Sequence, residues 1–157
     1  DVLLRAARGL DATVVLVGTG PEMPRLSALA GPRTVLAGRV AEEDLPAFYR
    51  AADIFCLPSV TTAEAFGVVL LEAMASGLPL VTTALPTGVS AVNRDGRTGV
   101  VVPPGDAGAL REALEALLGD RARRTAMGEE ARRVCEEEYT ARLMVERFLS
   151  LYREALG

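Results

Sequence analysis

The sequence predicts an α/β protein, with a doubly wound parallel sheet and helices on both of its faces. Three observations carry that expectation. Short apolar runs rich in β-branched residues recur at 13–17, 34–38, 54–57, 80–83 and 99–102. Stretches with apolar residues at helical spacing separate them, and the connections are short, the pattern that parallel strands with crossover helices produce. Only 4% of the residues are aromatic and none is Trp, so the core has to be built from Leu, Val and Ala, which suits helices packed on a Val-rich sheet.

Taken in order, residues 1–10 read as a helix closed by Gly9, with Val2, Leu3, Leu4, Ala6, Ala7 and Leu10 at helical spacing. Residues 13–17 are continuous enough to suggest a strand buried on both faces. It runs into Gly18-Thr19-Gly20-Pro21 and then a helix over 22–30, a βα junction of the kind at which open α/β sheets bind ligands. After the strand at 34–38, Glu42-Glu43-Asp44-Leu45-Pro46 starts a helix with acidic residues at its positive end and Pro where a missing N–H is harmless. The strand at 54–57 stops at Pro58-Ser59. A helix near 66–75, a strand at 80–83, a loop over 84–98 and a strand at 99–102 follow. Asp106 caps a helix ending at Gly119, 120–138 is helical with a break expected near Gly128, and Thr140 caps the last helix. That helix gathers Leu143, Met144, Phe148, Leu149, Leu151 and Tyr152 on one side, a face through which copies could pair. One irregularity stands out: a Rossmann-like unit begins on its central strand, whereas this chain begins on a helix. The expectation is that the first central strand lies before Asp1 and that 1–157 is one domain of something longer.

Composition removes several chemistries. With a net charge of −4 there is no basic footprint for nucleic acid. All seventeen basic residues are Arg, so the chain has no lysine to form a Schiff base, and it has no His to act as imidazole base or zinc ligand. Cys56 and Cys135 stand far apart with no CxxC partner and read as reduced, structural thiols of a cytoplasmic protein. No apolar run approaches the ~20 residues that cross a bilayer, and no secretory pattern opens the chain. Glu129-Glu130 and Glu136-Glu137-Glu138 read as solvated helix faces.

The chemistry concentrates in 61–79, where Glu64 and Glu72 sit eight residues apart in an otherwise apolar run. With a helix beginning near Phe66-Gly67, the N–H groups of Phe66, Gly67 and Val68 would point from its positive end toward the C-terminal edge of the sheet, an anion site. Gly67 lacks a Cβ, so a phosphate could approach the backbone. Glu64 would flank that site and Glu72 would lie roughly 8 Å further along the axis at about 1.5 Å per residue. The two cannot serve one atom. Carboxylates accept from vicinal hydroxyls, so the pair suits a ligand with hydroxyls on both sides of a diphosphate. The alternative is a helix that Glu64 caps and on which Glu72 merely faces solvent.

Together with Gly38-Arg39-Val40, Leu45-Pro46-Ala47-Phe48-Tyr49-Arg50-Ala51-Ala52-Asp53, Pro58-Ser59, Glu64-Ala65-Phe66-Gly67, Glu72 to Pro79, Asp95-Gly96-Arg97-Thr98-Gly99 and Pro104-Gly105-Asp106, the Gly18–Pro21 turn resembles the C-terminal domain of family 4 retaining glycosyltransferases of GT-B fold. The resemblance spans nearly the whole chain. It implies a domain that holds a UDP-, GDP- or ADP-linked sugar while a separate N-terminal domain brings a glycan or lipid acceptor. Carried over by position, Glu64 meets the transferred sugar and is the catalytic candidate. Phe66, Gly67 and Val68 give backbone contacts to sugar and diphosphate, and Glu72 accepts from the ribose. Gly18 and Gly20 border the nucleotide with Ser59 nearby, and the base sits near Arg39 and Val40, although Arg39 also reads as a surface residue after a strand. The nucleotide-sugar is a substrate, so no cofactor and no metal is implied. Localisation is cytoplasmic, with peripheral membrane contact only for the full-length protein.

Two departures qualify the resemblance. The Arg and Lys with which the family neutralises the leaving diphosphate fall before Asp1, which implies that 1–157 alone is inactive. After the strand at 80–83, many relatives carry Gly-Gly-x-Pro-Glu, whereas this chain has Leu85 to Asn93 with Thr87-Gly88-Val89, similar to bacterial surface-polysaccharide mannosyl- and rhamnosyltransferase-like members. A nucleotide-sugar epimerase on the same fold is the enzymatic alternative, but such enzymes depend on acid/base residues, often His, that are lacking here. A domain that only binds the nucleotide-sugar is the non-enzymatic one.

Overall fold

The computed structural model describes residues 1–157. Helices and strands alternate as α1 (Val2–Ala6), β1 (Val14–Val17), α2 (Met23–Leu29), β2 (Thr34–Gly38), α3 (Leu45–Ala51), β3 (Phe55–Leu57), α4 (Val68–Ala75), β4 (Leu80–Thr83), α5 (Gly88–Val92), β5 (Gly99–Val102), α6 (Ala107–Gly119), α7 (Arg121–Glu138) and α8 (Ala141–Leu156). Every strand pairing is parallel. The strands form two separate ladders, β1-β2 and β3-β4-β5, with no pairing between β1 and β3.

β4 shows why the layers form. Its side chains alternate between faces, as a strand requires. Leu80 enters a cluster with Leu70, Ala73 and Met74 of α4, Val89 and Val92 of α5 and Val134 of α7. Val81 enters the opposite cluster with Val2 and Ala6 of α1, Val102 of β5 and Leu110, Leu114 and Leu117 of α6. The three-stranded ladder is therefore covered on both faces, as a doubly wound fold demands.

Four expectations change. The strand read as buried on both faces is not: Val15 and Val17 of β1 are 45% and 43% exposed, and Val35 beside them on β2 is 48% exposed, because this face of the β1-β2 ladder joins neither core cluster. The first helix is shorter than expected, ending at Ala6, although Gly9 does take the positive φ of a chain reversal. The loop after β4 contains the helix α5, which seats Val89 and Val92 in the core. Helix α7 runs unbroken through Gly128. A Cβ at Gly128 would stand 2.1 Å from the Gly77 carbonyl oxygen, so this glycine is a contact point where α7 approaches the turn after α4.

Polar capping follows the sequence. Asp106, Asp120 and Thr140 each accept from a backbone N–H one turn into α6, α7 and α8. The Asp95–Gly99 turn is architectural: Asp95 accepts from the Val101 N–H, and a Cβ at Gly99 would meet the Leu80 carbonyl oxygen at 1.9 Å. Beside it the buried Asn93 donates to Thr82 Oγ1 and the Val100 carbonyl and accepts from Thr98 Oγ1. Cys56 and Cys135 are both free thiols, and burial pushes Cys56 up to about 12. No helix is long and apolar enough to cross a membrane.

Candidate functional site

Parallel strands bring the turns that follow them to one edge, and the sequence-predicted residues fall on those turns. Gly18 follows β1 with φ 123° and its N–H donates to the Gly38 carbonyl at 2.7 Å, so the ends of β1 and β2 are tied together. Arg39 is exposed and makes no ion pair, Val40 is half-buried beside it, and Gly20 is exposed on the turn into α2. Ser59 follows β3, and its carbonyl accepts from Thr83 Oγ1 of β4 at 2.6 Å.

Helix α4 begins two residues later than expected, at Val68, with Gly67 as its cap at φ 77°. The glycine is required twice over. L-residues rarely adopt that backbone conformation, and a Cβ there would meet Leu70 Cδ1 at 2.9 Å. Glu64 accepts from the Gly67 N–H through Oε1 at 3.0 Å. That N–H, expected to be free for an anion, is thus already used, and Glu64 is the capping residue as well as the flanking carboxylate. The N–H groups of Phe66, Val68 and Val69 have no protein acceptor, so those of Val68 and Val69 carry the positive end of the α4 dipole. Glu72 lies one turn further in, exposed, with Tyr49 Oη donating to its Oε2 at 2.7 Å. The Val68–Glu72 rise is about 6 Å at ~1.5 Å per residue, so the two carboxylates sit at successive positions along one helix and not at a common point.

The wall beside Glu64 is held by α5. Gly88 donates its N–H to the Ala65 carbonyl at 2.8 Å, and a Cβ on Gly88 would run into Phe66 and the Ala65 carbonyl oxygen at 2.8 and 2.9 Å. Phe66 itself is exposed and stands edge-on to Tyr139, with centroids 6.3 Å apart. Sequence reasoning missed the contact of Gly88 with Ala65 and the Tyr49–Glu72 bond. The first was hidden in a stretch read as loop. The second links residues 23 positions apart on different helices.

The site is an open shelf. Two concavities of the chain lie away from these turns: one of about 540 Å³ between α1 and the start of β1 and β2, the other of about 340 Å³ where Asp53, Pro79, Arg121 and Arg124 meet, at the opposite ends of β3 and β4. No group of three or more His, Cys, Asp or Glu side chains stands close enough to hold a metal ion. What the shelf can do chemically is accept hydroxyl hydrogens at Glu64 and Glu72 and donate backbone N–H groups between them.

A family profile described as "Glycosyl transferases group 1" matches residues 1–120. The O-antigen chain mannosyltransferase C of Escherichia coli is 35% identical over 99% of this chain and 43% of its own length. The D-rhamnosyltransferase WbpZ of Pseudomonas aeruginosa is 38% identical over 89% of this chain and 38% of its own. Among solved structures, sucrose-phosphate synthase (tll1590) from Thermosynechococcus elongatus superposes with a TM-score of 0.88 at 30% identity, covering 99% of this chain and 41% of that one. The Anabaena protein HepE, solved with UDP and with UDP-glucose, shares the fold at a TM-score of 0.87 and 21% identity, over 98% of this chain and 44% of its own. The chain therefore spans about two fifths of the length of the relatives it matches.

Proposed function

The chain belongs to the group 1 glycosyltransferases, and from that membership we propose that it is the donor-binding domain of a retaining glycosyltransferase that takes a sugar from a UDP-, GDP- or ADP-linked donor without a metal or other cofactor. The observation that carries the reading is the arrangement on α4: acceptor-free N–H groups of Val68 and Val69 lie between a carboxylate at the helix cap and a second one a turn in. The N–H groups meet the diphosphate. Glu64, whose Oε2 remains open beside its bond to Gly67, meets hydroxyls of the transferred sugar. Glu72 accepts from the ribose.

Gly18 and Gly20 border the nucleotide, Arg39 and Val40 the base, and Ser59 lies at the end of β3 between them and Glu64. The acceptor proton passes to the departing diphosphate, on the face that the leaving group vacates, in agreement with the lack of His in this chain. That geometry retains the anomeric configuration without a dedicated protein base. The open shelf fits a site whose other wall, with the acceptor, comes from a second domain in the cytoplasm, peripheral membrane contact being confined to the full-length protein. Mannosyl- and rhamnosyltransferase relatives point to surface glycan or glycolipid synthesis, and the HepE complexes point to a nucleotide-sugar as donor.

Titration calorimetry of this chain with UDP-, GDP- and ADP-sugars tests the reading. Weak, saturable binding to one class that is lost in Glu72→Ala is expected. Failure of all three to bind would overturn it.

A further inference from the structure

Tyr49 belongs to the stretch 45–53 that the donor reading leaves without a role. It sits in the last turn of α3, and its hydroxyl spans to the Glu72 carboxylate on α4, Oη to Oε2 at 2.7 Å. The phenol is not loose. Its ring leans on Phe55 of β3, with centroids 5.7 Å apart and planes at 47°, and packs against the cluster that holds Leu70, Ala73 and Met74 of α4. Glu72, in contrast, is exposed and pairs with no Arg. An exposed Glu on a helix ordinarily moves among several rotamers, so the tyrosine is what gives this one a single orientation. An ionised carboxylate has about four lone-pair sites. One bond from Tyr49 to Oε2 leaves Oε1 able to accept from a diol.

We propose that Tyr49 is the positioning residue for Glu72: its hydroxyl, anchored by the ring's contact with Phe55, fixes the carboxylate in the orientation that accepts from the ribose hydroxyls of the donor nucleotide. This rests on the donor-site reading above. Burial of the phenol, and after it the Glu72 carboxylate, hold the Tyr49 hydroxyl well above the usual phenol range, so it remains a hydrogen-bond donor under ordinary conditions. A phenylalanine would keep the packing and lose only the bond. A glycan-recognition role for the tyrosine itself is not needed, because its hydroxyl is already committed.

The test compares the 157-residue chain with its Tyr49→Phe, Tyr49→Ala and Glu72→Gln variants. The probes are UDP, GDP and ADP, then the 2′-deoxy form of whichever binds best, read by protein-observed NMR titration and accompanied by melting curves. The wild type is expected to favour the ribonucleotide over its 2′-deoxy form. Tyr49→Phe is expected to weaken the ribonucleotide about fivefold, the effect of one hydrogen bond, while leaving the deoxy form unchanged, so that discrimination shrinks with little change in melting temperature. Tyr49→Ala should add a loss of stability. If Glu72→Gln lowers discrimination and Tyr49→Phe keeps the wild-type ratio, the positioning role is overturned and the donor site stands. A fall of both nucleotides together in Tyr49→Phe, in step with melting temperature, also overturns it in favour of a purely structural role. If the wild type binds none of the three nucleotides, the donor reading fails and the proposal fails with it.

Discussion

Two parts of this molecule are written in the same alphabet and end in opposite environments. From Asp11 to Phe66 no residue is fully buried, although the segment holds three strands and two helices. From Gly67 to Cys135 lies most of the buried core. Val14-Val15-Leu16-Val17 of β1 is more apolar than Leu80-Val81-Thr82-Thr83 of β4, yet every residue of β4 is buried and none of β1 is. The difference is the neighbours. β4 has a strand on each side and helices over both faces, whereas β1 pairs only with β2, and neither strand contributes to a core cluster. Apolar composition states what a strand can bury, and pairing decides what it does bury.

Core truncation gives the largest test of that contrast. Leu70→Ala, at a fully buried position between α4, α5 and α7, is expected to lose about 2–5 kcal/mol of stability. Leu16→Ala in β1, half-buried, is expected to lose under about 1.5 kcal/mol because water already reaches the site. Urea melts of both variants check this, and equal losses would show the first part to be as well packed as the second. Gly128→Ala comes next. The close approach of α7 to the Gly77 carbonyl leaves no room for a methyl group, so overpacking is expected to remove about 1–3 kcal/mol, seen as a lower melting temperature by calorimetry.

At the boundary between the two parts, Glu64→Ala removes the acceptor of the Gly67 N–H. It should destabilise by about 1 kcal/mol, as loss of a helix cap does. Glu64→Gln, which keeps an acceptor oxygen, should recover most of that stability while still weakening sugar recognition. The pair separates the capping role from the ligand role.

The smallest effect is electrostatic and belongs to the second part together with the end of α7. Hydrogen bonds from Arg133 and then Arg97 hold the Glu130 carboxyl at about 2, and Arg94 holds Glu138 below the usual carboxylate range. A folded value below the unfolded one means that the stabilisation is present above about pH 4.5 and fades as pH falls toward 2. Both carboxylates are half-buried but still reach water, with side chains 26% and 35% exposed, so the acid-side slope of the melting temperature should flatten in ~1 M salt, where the screening length is about 3 Å. A slope unchanged by salt would place its origin in buried groups instead.

Much of the site was legible because it depends on local rules. Glycine at 67, carboxylates at 64 and 72 and the turns after each strand can be placed by periodicity, capping and the edge at which parallel strands end. At Gly128 and α5 the reading departed because the partners are distant in sequence. Gly128 looked like a helix breaker because its partner is the Gly77 carbonyl, 51 residues earlier. α5 looked like a loop because Val89 and Val92 find their burial against α4 and α7. The Gly67 N–H looked free because a cap and a ligand carboxylate have the same sequence signature, and only the 3.0 Å contact distinguishes them.

By itself, then, the sequence determined the alternation of strands and helices, the parallel pairing and the two separated carboxylates, since each follows from residue type and spacing over a few positions. Only the tertiary structure decided that Gly128 meets the Gly77 carbonyl, that α5 packs on α7, and that Tyr49 reaches Glu72. Those outcomes depend on which distant surfaces meet, and hydrogen bonding and packing across 20 or more residues leave no local periodicity to read.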